Sequence, residues 1–163
     1  MFIEKLMKEC SNYFPIWKKF ETFTIKDGVI LTDMTLPLNS YILINMSTFN
    51  DGVYKVTSSD GTMTSLDATM TDETFRGYIV QLAPNRMFLE LSDKLEQYEK
   101  DNPVSALTSE SIPNYSYSIA TVDGKQGWQY MFKSELNKFK KLPKTISEII
   151  CEVKDADQKC SSK

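Results

Sequence analysis

No histidine occurs anywhere in the chain, and that absence removes a class of chemistry. A catalytic serine or cysteine is commonly activated by an imidazole that takes its proton, so neither Ser109 nor Ser111 can belong to a Ser-His couple. A Ser-Lys dyad needs no imidazole, but nothing in the sequence pairs a lysine with either serine. Enzymatic activity is therefore not expected. Cysteine is scarce as well. Cys10, Cys151 and Cys160 form an odd, irregularly spaced set, which reads as reduced thiols in a cytosolic setting. With no CxxC pair, a zinc site is not expected. No apolar run approaches the roughly 18 residues that a membrane span needs, and MFIEKLMKEC places charges where a secretory leader carries its apolar core. The six glycines each read as a turn or a helix boundary, so no phosphate-cradling loop and no cofactor are expected.

What the chain does have is the substance of a globular domain. It is 41% hydrophobic and 12% aromatic over 163 residues, and disordered chains lack so many aromatics. The net charge of −3 and a pI near 5.1 argue against a broad nucleic-acid-gripping face, which needs clustered Lys and Arg. An acidic wall past which DNA slides remains compatible with that balance.

Periodicity then divides the chain. Residues 2–14 read as an amphipathic helix through Ile3, Leu6, Met7, Cys10 and Phe14, stopped by Pro15. The β-region, 23–83, carries Asp27-Gly28 as a hairpin signal, Tyr41–Ile44 as a buried strand, and further turns at Asn50-Asp51-Gly52 and Asp60-Gly61. Thr71, Glu73 and Thr74 suggest a short helical turn, and Tyr78–Ala83 a strand ended by Pro84. A helix over about 85–101 is the strongest signal, with Asn85 as N-cap and Met87, Leu91, Leu95 and Tyr98 as its stripe. Another is expected over 127–141, with Trp128, Met131, Phe132, Leu136 and Phe139 inward. The expected fold class is α+β: a small antiparallel sheet or partial barrel with amphipathic helices packed on it. One domain spans 1–143, and 144–163 form a mobile tail or arm.

The candidate sites are few. Asp67, Asp72 and Glu73 lack the alternating spacing of a calcium loop and read as solvated acids, so no metal is expected. The lysines from Lys133 to Lys144 suit a helix C-terminus better than a phosphate site. Tyr115, Tyr117, Trp128 and Tyr130 fit core and interface packing better than a base-stacking platform. These residues favour an interaction or structural protein.

Three stretches carry more. SYILINMSTFNDGVYKV, MTDETFRGYIVQLAPNRMFLELSDKLEQY and SESIPNYSYSIATVDGKQGWQYMFKSELNKF, in that order, resemble a family of head–tail connector (neck adaptor) proteins from tailed bacteriophages and prophages of Gram-positive bacteria. The likeness covers Phe23 to Leu142. Asn50-Asp51-Gly52-Val53-Tyr54, and Ser109-Glu110-Ser111 with Tyr115-Ser116-Tyr117, give it most of its specificity. The chain departs from the family where Ile112-Pro113-Asn114 replaces Phe-Gly-Gly, and where Asn45-Met46-Ser47-Thr48 replaces a Gly-Ser pair.

The resemblance implies a virion neck protein, made in the host cytoplasm. It would form a homo-oligomeric ring, commonly dodecameric, below the portal protein, and bridge it to tail-side neck proteins such as a stopper or tail terminator. Phage DNA would leave through its lumen without sequence-specific binding, and no membrane is involved. Ser109, Glu110, Ser111, Tyr115 and Tyr117 would form an assembly loop and strand. Asn50, Asp51 and Gly52 would meet the tail side, and Ile146, Ile149 and Ile150, on the C-terminal arm, the portal. A stopper or tail-completion role, or a nucleic-acid-binding module, are the alternatives.

Overall fold

A computed structural model describes residues 2–102, 109–112, 115–118 and 127–153, the two short central segments by their backbone. Beside the expectation of one domain over 1–143 with a tail beyond it stands the way the chain groups into compact units. There are two, interleaved in sequence, one of residues 13–84 with the segment from Pro143, the other of residues 2–12 with 85–142. Secondary structure is α+β, as the sequence indicated.

The first unit is built on a six-stranded antiparallel barrel. Its strands are β1 (Pro15–Lys26), β2 (Val29–Leu31), β3 (Tyr41–Asn45), β4 (Gly52–Ser59), β5 (Met63–Leu66) and β6 (Glu73–Leu82). They run in the order β1-β2-β5-β4-β3-β6, and β6 closes the cylinder by pairing with both β3 and β1. The partial barrel expected from the sequence is thus a closed one, and closure removes most of the edges an open sheet would expose. Asp27 and Gly28 join β1 to β2 with φ of 53° and 77°, the left-handed pair that a two-residue hairpin turn requires.

Alternation directs one set of side chains inward. Phe23, Ile25, Ile30, Ile42, Ile44, Val56, Phe75 and Ile79 are among the residues that fill the barrel. Burying side chains of this size stabilises by roughly 1.5–3 kcal/mol each. Glu73 and Thr74, expected in a helical turn, instead open β6. Gly77 is no turn residue either: it sits within β6, where an added Cβ would lie 2.3 Å from the carbonyl oxygen of Asn45.

The strand β1 begins eight residues before the expected β-region at Phe23 (15 against 23). Lys19 and Glu21 disguise it, because charges at alternating positions look solvated. Lys19 is in fact nearly covered, and its Nζ holds Glu21 at 3.1 Å and Asp33 at 2.5 Å. Burial alone acts to lower the Lys19 pKa, but these two carboxylates outweigh it and raise the value above the ordinary one.

The second unit is helical. Helix α1 (Phe2–Cys10) is shorter than expected. Ser11 turns left-handed at φ 49°, while its N–H bonds Lys8 O and that of Asn12 bonds Met7 O. That paired arrangement closes the helix before Phe14. Helix α2 (Arg86–Asp101) starts as expected, with Asn85 Oδ1 accepting from Phe88 N–H at 2.9 Å. Its inward stripe is Phe88, Leu91, Ser92 and Leu95, so Met87 stands outside, 63% exposed.

The helix expected over 127–141 is two short ones, α3 (Gly127–Met131) and α4 (Lys133–Asn137), broken where Phe132 leaves helical geometry at φ −104°, ψ 21°. Phe132 packs edge-on against Tyr98, Phe88 against Phe139, and Phe2 against the buried Trp128. The central residues give a separate two-stranded sheet, β7 (Ser109–Ile112) and β8 (Tyr115–Ser118). Helix α5 (Ile146–Cys151) belongs to the barrel unit.

Candidate assembly surface

The sequence-predicted assembly residues Ser109, Glu110, Ser111, Tyr115 and Tyr117 all lie on β7 and β8, which pair antiparallel with Glu110 opposite Tyr117 and Ile112 opposite Tyr115. Their side chains lie outside the described residues, as do Pro113 and Asn114 between the strands. What the backbone provides is a narrow ribbon. The two strands pair with each other and with no other described strand.

The turn at residues 50–52 is held by a network of side-chain hydrogen bonds. Asn50, offered as a tail-side contact, is 3% exposed. Its side-chain carbonyl accepts from Thr71 N–H at 2.9 Å, and its amide donates to Thr71 O at 2.9 Å and to the Glu73 carboxylate. Ser47 Oγ also donates to Glu73, and Thr48 N–H donates to it at 3.1 Å. Asp51 turns back to accept from Ser47 N–H at 2.7 Å, and Gly52 begins β4. Burial acts to raise the Glu73 pKa, but the donors from Ser47, Asn50 and the backbone N–H groups of Thr48 and Phe49 outweigh it and hold the carboxyl below its ordinary range.

This network locks residues 46–51 into one shape and leaves Met46 and Phe49 outside, 56% and 67% exposed. The sequence reading missed both. The available signal was a phenylalanine placed inside a polar turn. A second outward cluster lies on the wall formed by β1 and β6. There Phe20 meets Tyr78 at 4.6 Å between ring centroids, and the Arg76 guanidinium lies 5.2 Å from the Phe20 ring. Phe, Tyr, Met and Arg are the residue types enriched at the centres of protein interfaces.

The C-terminal arm is in part packed on the fold. Thr145 and Glu148 form a reciprocal capping box that starts α5, and Ile149 and Ile150 are buried within the fold, with Ile146 half-buried. Lys18 Nζ donates to Ile150 O at 3.1 Å, where α5 meets β1. Burial gives these isoleucines a packing role inside the chain. Residues 154–163, with Cys160, lie outside the described residues.

Of the remaining candidates, Trp128 is buried as expected and Tyr130 is exposed. Lys140 pairs with Glu9 at 3.3 Å and Lys144 with Glu152 at 2.5 Å, which spends part of the lysine cluster on local acids. Asp67 accepts from Lys55 N–H at 2.8 Å. Among the described residues no group of acids and cysteines is placed to hold a metal, and no helix is long and apolar enough to cross a membrane. Cys10 is buried, its thiol pushed up to about 11 chiefly by that burial, whereas Cys151 is exposed.

Comparison with protein-family models, with curated proteins and with solved structures finds no match for this chain.

Proposed function

We propose that the chain is a structural neck protein of a tailed phage, a connector that assembles as a ring below the portal, joins capsid to tail, and lines the path by which DNA leaves. The observation that carries this reading is the β7–β8 ribbon, which falls on the SES and YSY residues of the resemblance. A two-stranded sheet is marginal in water by itself, so a ribbon with no third strand among the described residues is suited to completion by a neighbour.

Other features support the same reading. The Asn50 and Glu73 motif residues rigidify the barrel while Phe49, Met46 and the Phe20 cluster stay available on its surface. Rigid presentation favours assembly because little conformational freedom is lost on contact. A net charge of −3 suits a wall that repels duplex DNA.

The test is a pull-down of the purified protein against the portal ring and tail-tube components of the same genome, with the products imaged by electron microscopy. A ring seated on the portal is the expected result. Binding to tail-side components alone would move the protein to a stopper or tail-completion role. Binding to neither would overturn the neck reading.

A further inference from the structure

The barrel is closed by its strand order, yet one stretch of β1 has a strand on only one side. Lys26 and Val29 flank the two-residue turn and face each other, so they form a doubly hydrogen-bonded pair. Alternation then points the backbone groups of the even-numbered residues of β1 towards β2. Those of the odd-numbered residues, such as Glu21 opposite Gly77 and Phe23 opposite Phe75, point towards β6. The β2 ladder reaches no further than Thr24. Beyond it the backbone N–H and C=O groups of Thr22 and Phe20 face the same side as the β2 ladder, and no described residue pairs with them. At Lys18 the approach of α5 ends the open stretch.

Natural sheets guard such edges with lysine, proline or a bulge. Neither Thr22 nor Phe20 is a guard. The nearby Lys19 is occupied by Glu21 and Asp33. Thr22 is exposed and Phe20 is 42% exposed, beside Tyr78 and Arg76.

The same alternation applies to the ribbon. Ile112 and Tyr115 flank its two-residue connection, so the backbone groups of Ser109 and Ser111 face one outer edge, and those of Ser116 and Ser118 the other. The strands SESI and YSYS contain no lysine and no proline. Each edge offers two residues at a spacing of i, i+2, which is the spacing of Phe20 and Thr22. Glu110 is the one charged residue of the two strands, opposite in sign to the Arg76 that flanks the acceptor.

We propose that the β1 edge at Phe20 and Thr22 receives the β7–β8 hairpin of a second copy of the chain by strand addition. Among the described residues no further strand pairs with either edge, which leaves them for contact between copies. An acceptor on one face and a donor elsewhere make a heterologous contact, the kind that generates rings. The inference rests on the assembly reading above and names its two complementary faces.

Two tagged copies test it, both carrying Cys151→Ser and Cys160→Ser, one with Thr22→Cys and the other with Ser111→Cys or Ser116→Cys. They are mixed with portal rings and oxidised. A disulfide-linked pair of differently tagged copies is expected. In parallel, Thr22→Pro removes an N–H that faces away from β6 and should keep the thermal melt within a few degrees while weakening self-association at least tenfold. Glu21→Pro breaks the β6 ladder and should unfold. The inference is overturned if wild-type protein forms rings on the portal and mixed copies do not cross-link, a result that leaves the neck reading intact. It is also overturned if a control chain carrying both Thr22→Cys and Ser111→Cys links solely within itself, with no linked pairs of copies. Cross-linked copies without any portal binding would sustain strand addition and defeat the neck reading instead.

Discussion

Asn50 and Glu73, 23 residues apart in sequence, meet through the amide of one and the carboxylate of the other, and together they fix the loop that enters β4. The loop bonds to its strand through side chains, so its geometry depends on the ionisation of one acid. Glu73 has a folded pKa below its ordinary value of 4.5. A depressed carboxylate contributes stability that is fully present above the unfolded value and is lost as pH falls through the folded one.

Replacing Glu73 by Gln should therefore cost about 1–3 kcal/mol at neutral pH, the range for leaving buried or charge-assisted donors poorly paired. The gap between wild type and variant should shrink below pH 4.5 as the wild-type carboxylate takes up its proton. Urea melts of both proteins at pH 7 and at pH 3.5 measure this. An equal gap at both values would show that the carboxylate charge plays no part.

Gly77 sets a different limit. Its missing Cβ would stand 2.3 Å from Asn45 O, and backbone does not yield as a side-chain tip can. Gly77→Ala should destabilise towards the upper end of the roughly 1–3 kcal/mol that overpacking with backbone displacement costs. Gly28→Ala, in open space at φ 77°, should cost about 1–2 kcal/mol from the left-handed backbone alone. Thermal melts of the two variants would rank them, and the reverse order would contradict the close packing of β3 on β6.

Why the sequence concealed Gly77 also explains what else it concealed. The Asp27-Gly28 turn and the Asn85 cap were legible because their signals are local: two left-handed residues, or one side chain reaching three residues on. Barrel closure was not, since it depends on β6 pairing with both β1 and β3, strands far from it in sequence. The N-terminal half of β1 was hidden by Lys19 and Glu21, whose charges cancel against each other and Asp33. Of the candidate surface, the ribbon was readable from its alternation. The inward duty of Asn50 was not, because its partners Thr71 and Glu73 lie in another segment.

Phe49 should separate folding from assembly. Its side chain is exposed, so Phe49→Ala should leave stability within about 0.5 kcal/mol. If the locked loop is a contact with neighbouring neck components, removing an aromatic anchor should weaken that binding by about 2 kcal/mol or more. Ring formation on portal particles, scored beside a denaturation curve, reads both quantities. Undiminished binding would exclude this loop from the interface.

Helix α5 gives the last prediction, since it decides whether the C-terminal segment is arm or core. Ile149 and Ile150 are buried to 6% and 2% exposure, and the Ile150 carbonyl is held by Lys18 of β1. A free arm would tolerate truncation of these side chains. A packed helix would lose about 2–5 kcal/mol for Ile150→Ala through lost burial and the cavity left behind. Thr145→Ala, which breaks the capping box, should cost a smaller amount, about 1 kcal/mol. If equilibrium unfolding shows both effects in that order, α5 belongs to the core of the barrel unit, and any reach towards a portal must come from residues beyond Val153. If neither substitution moves the midpoint while portal binding falls, the helix is an arm after all and its burial against β1 is incidental.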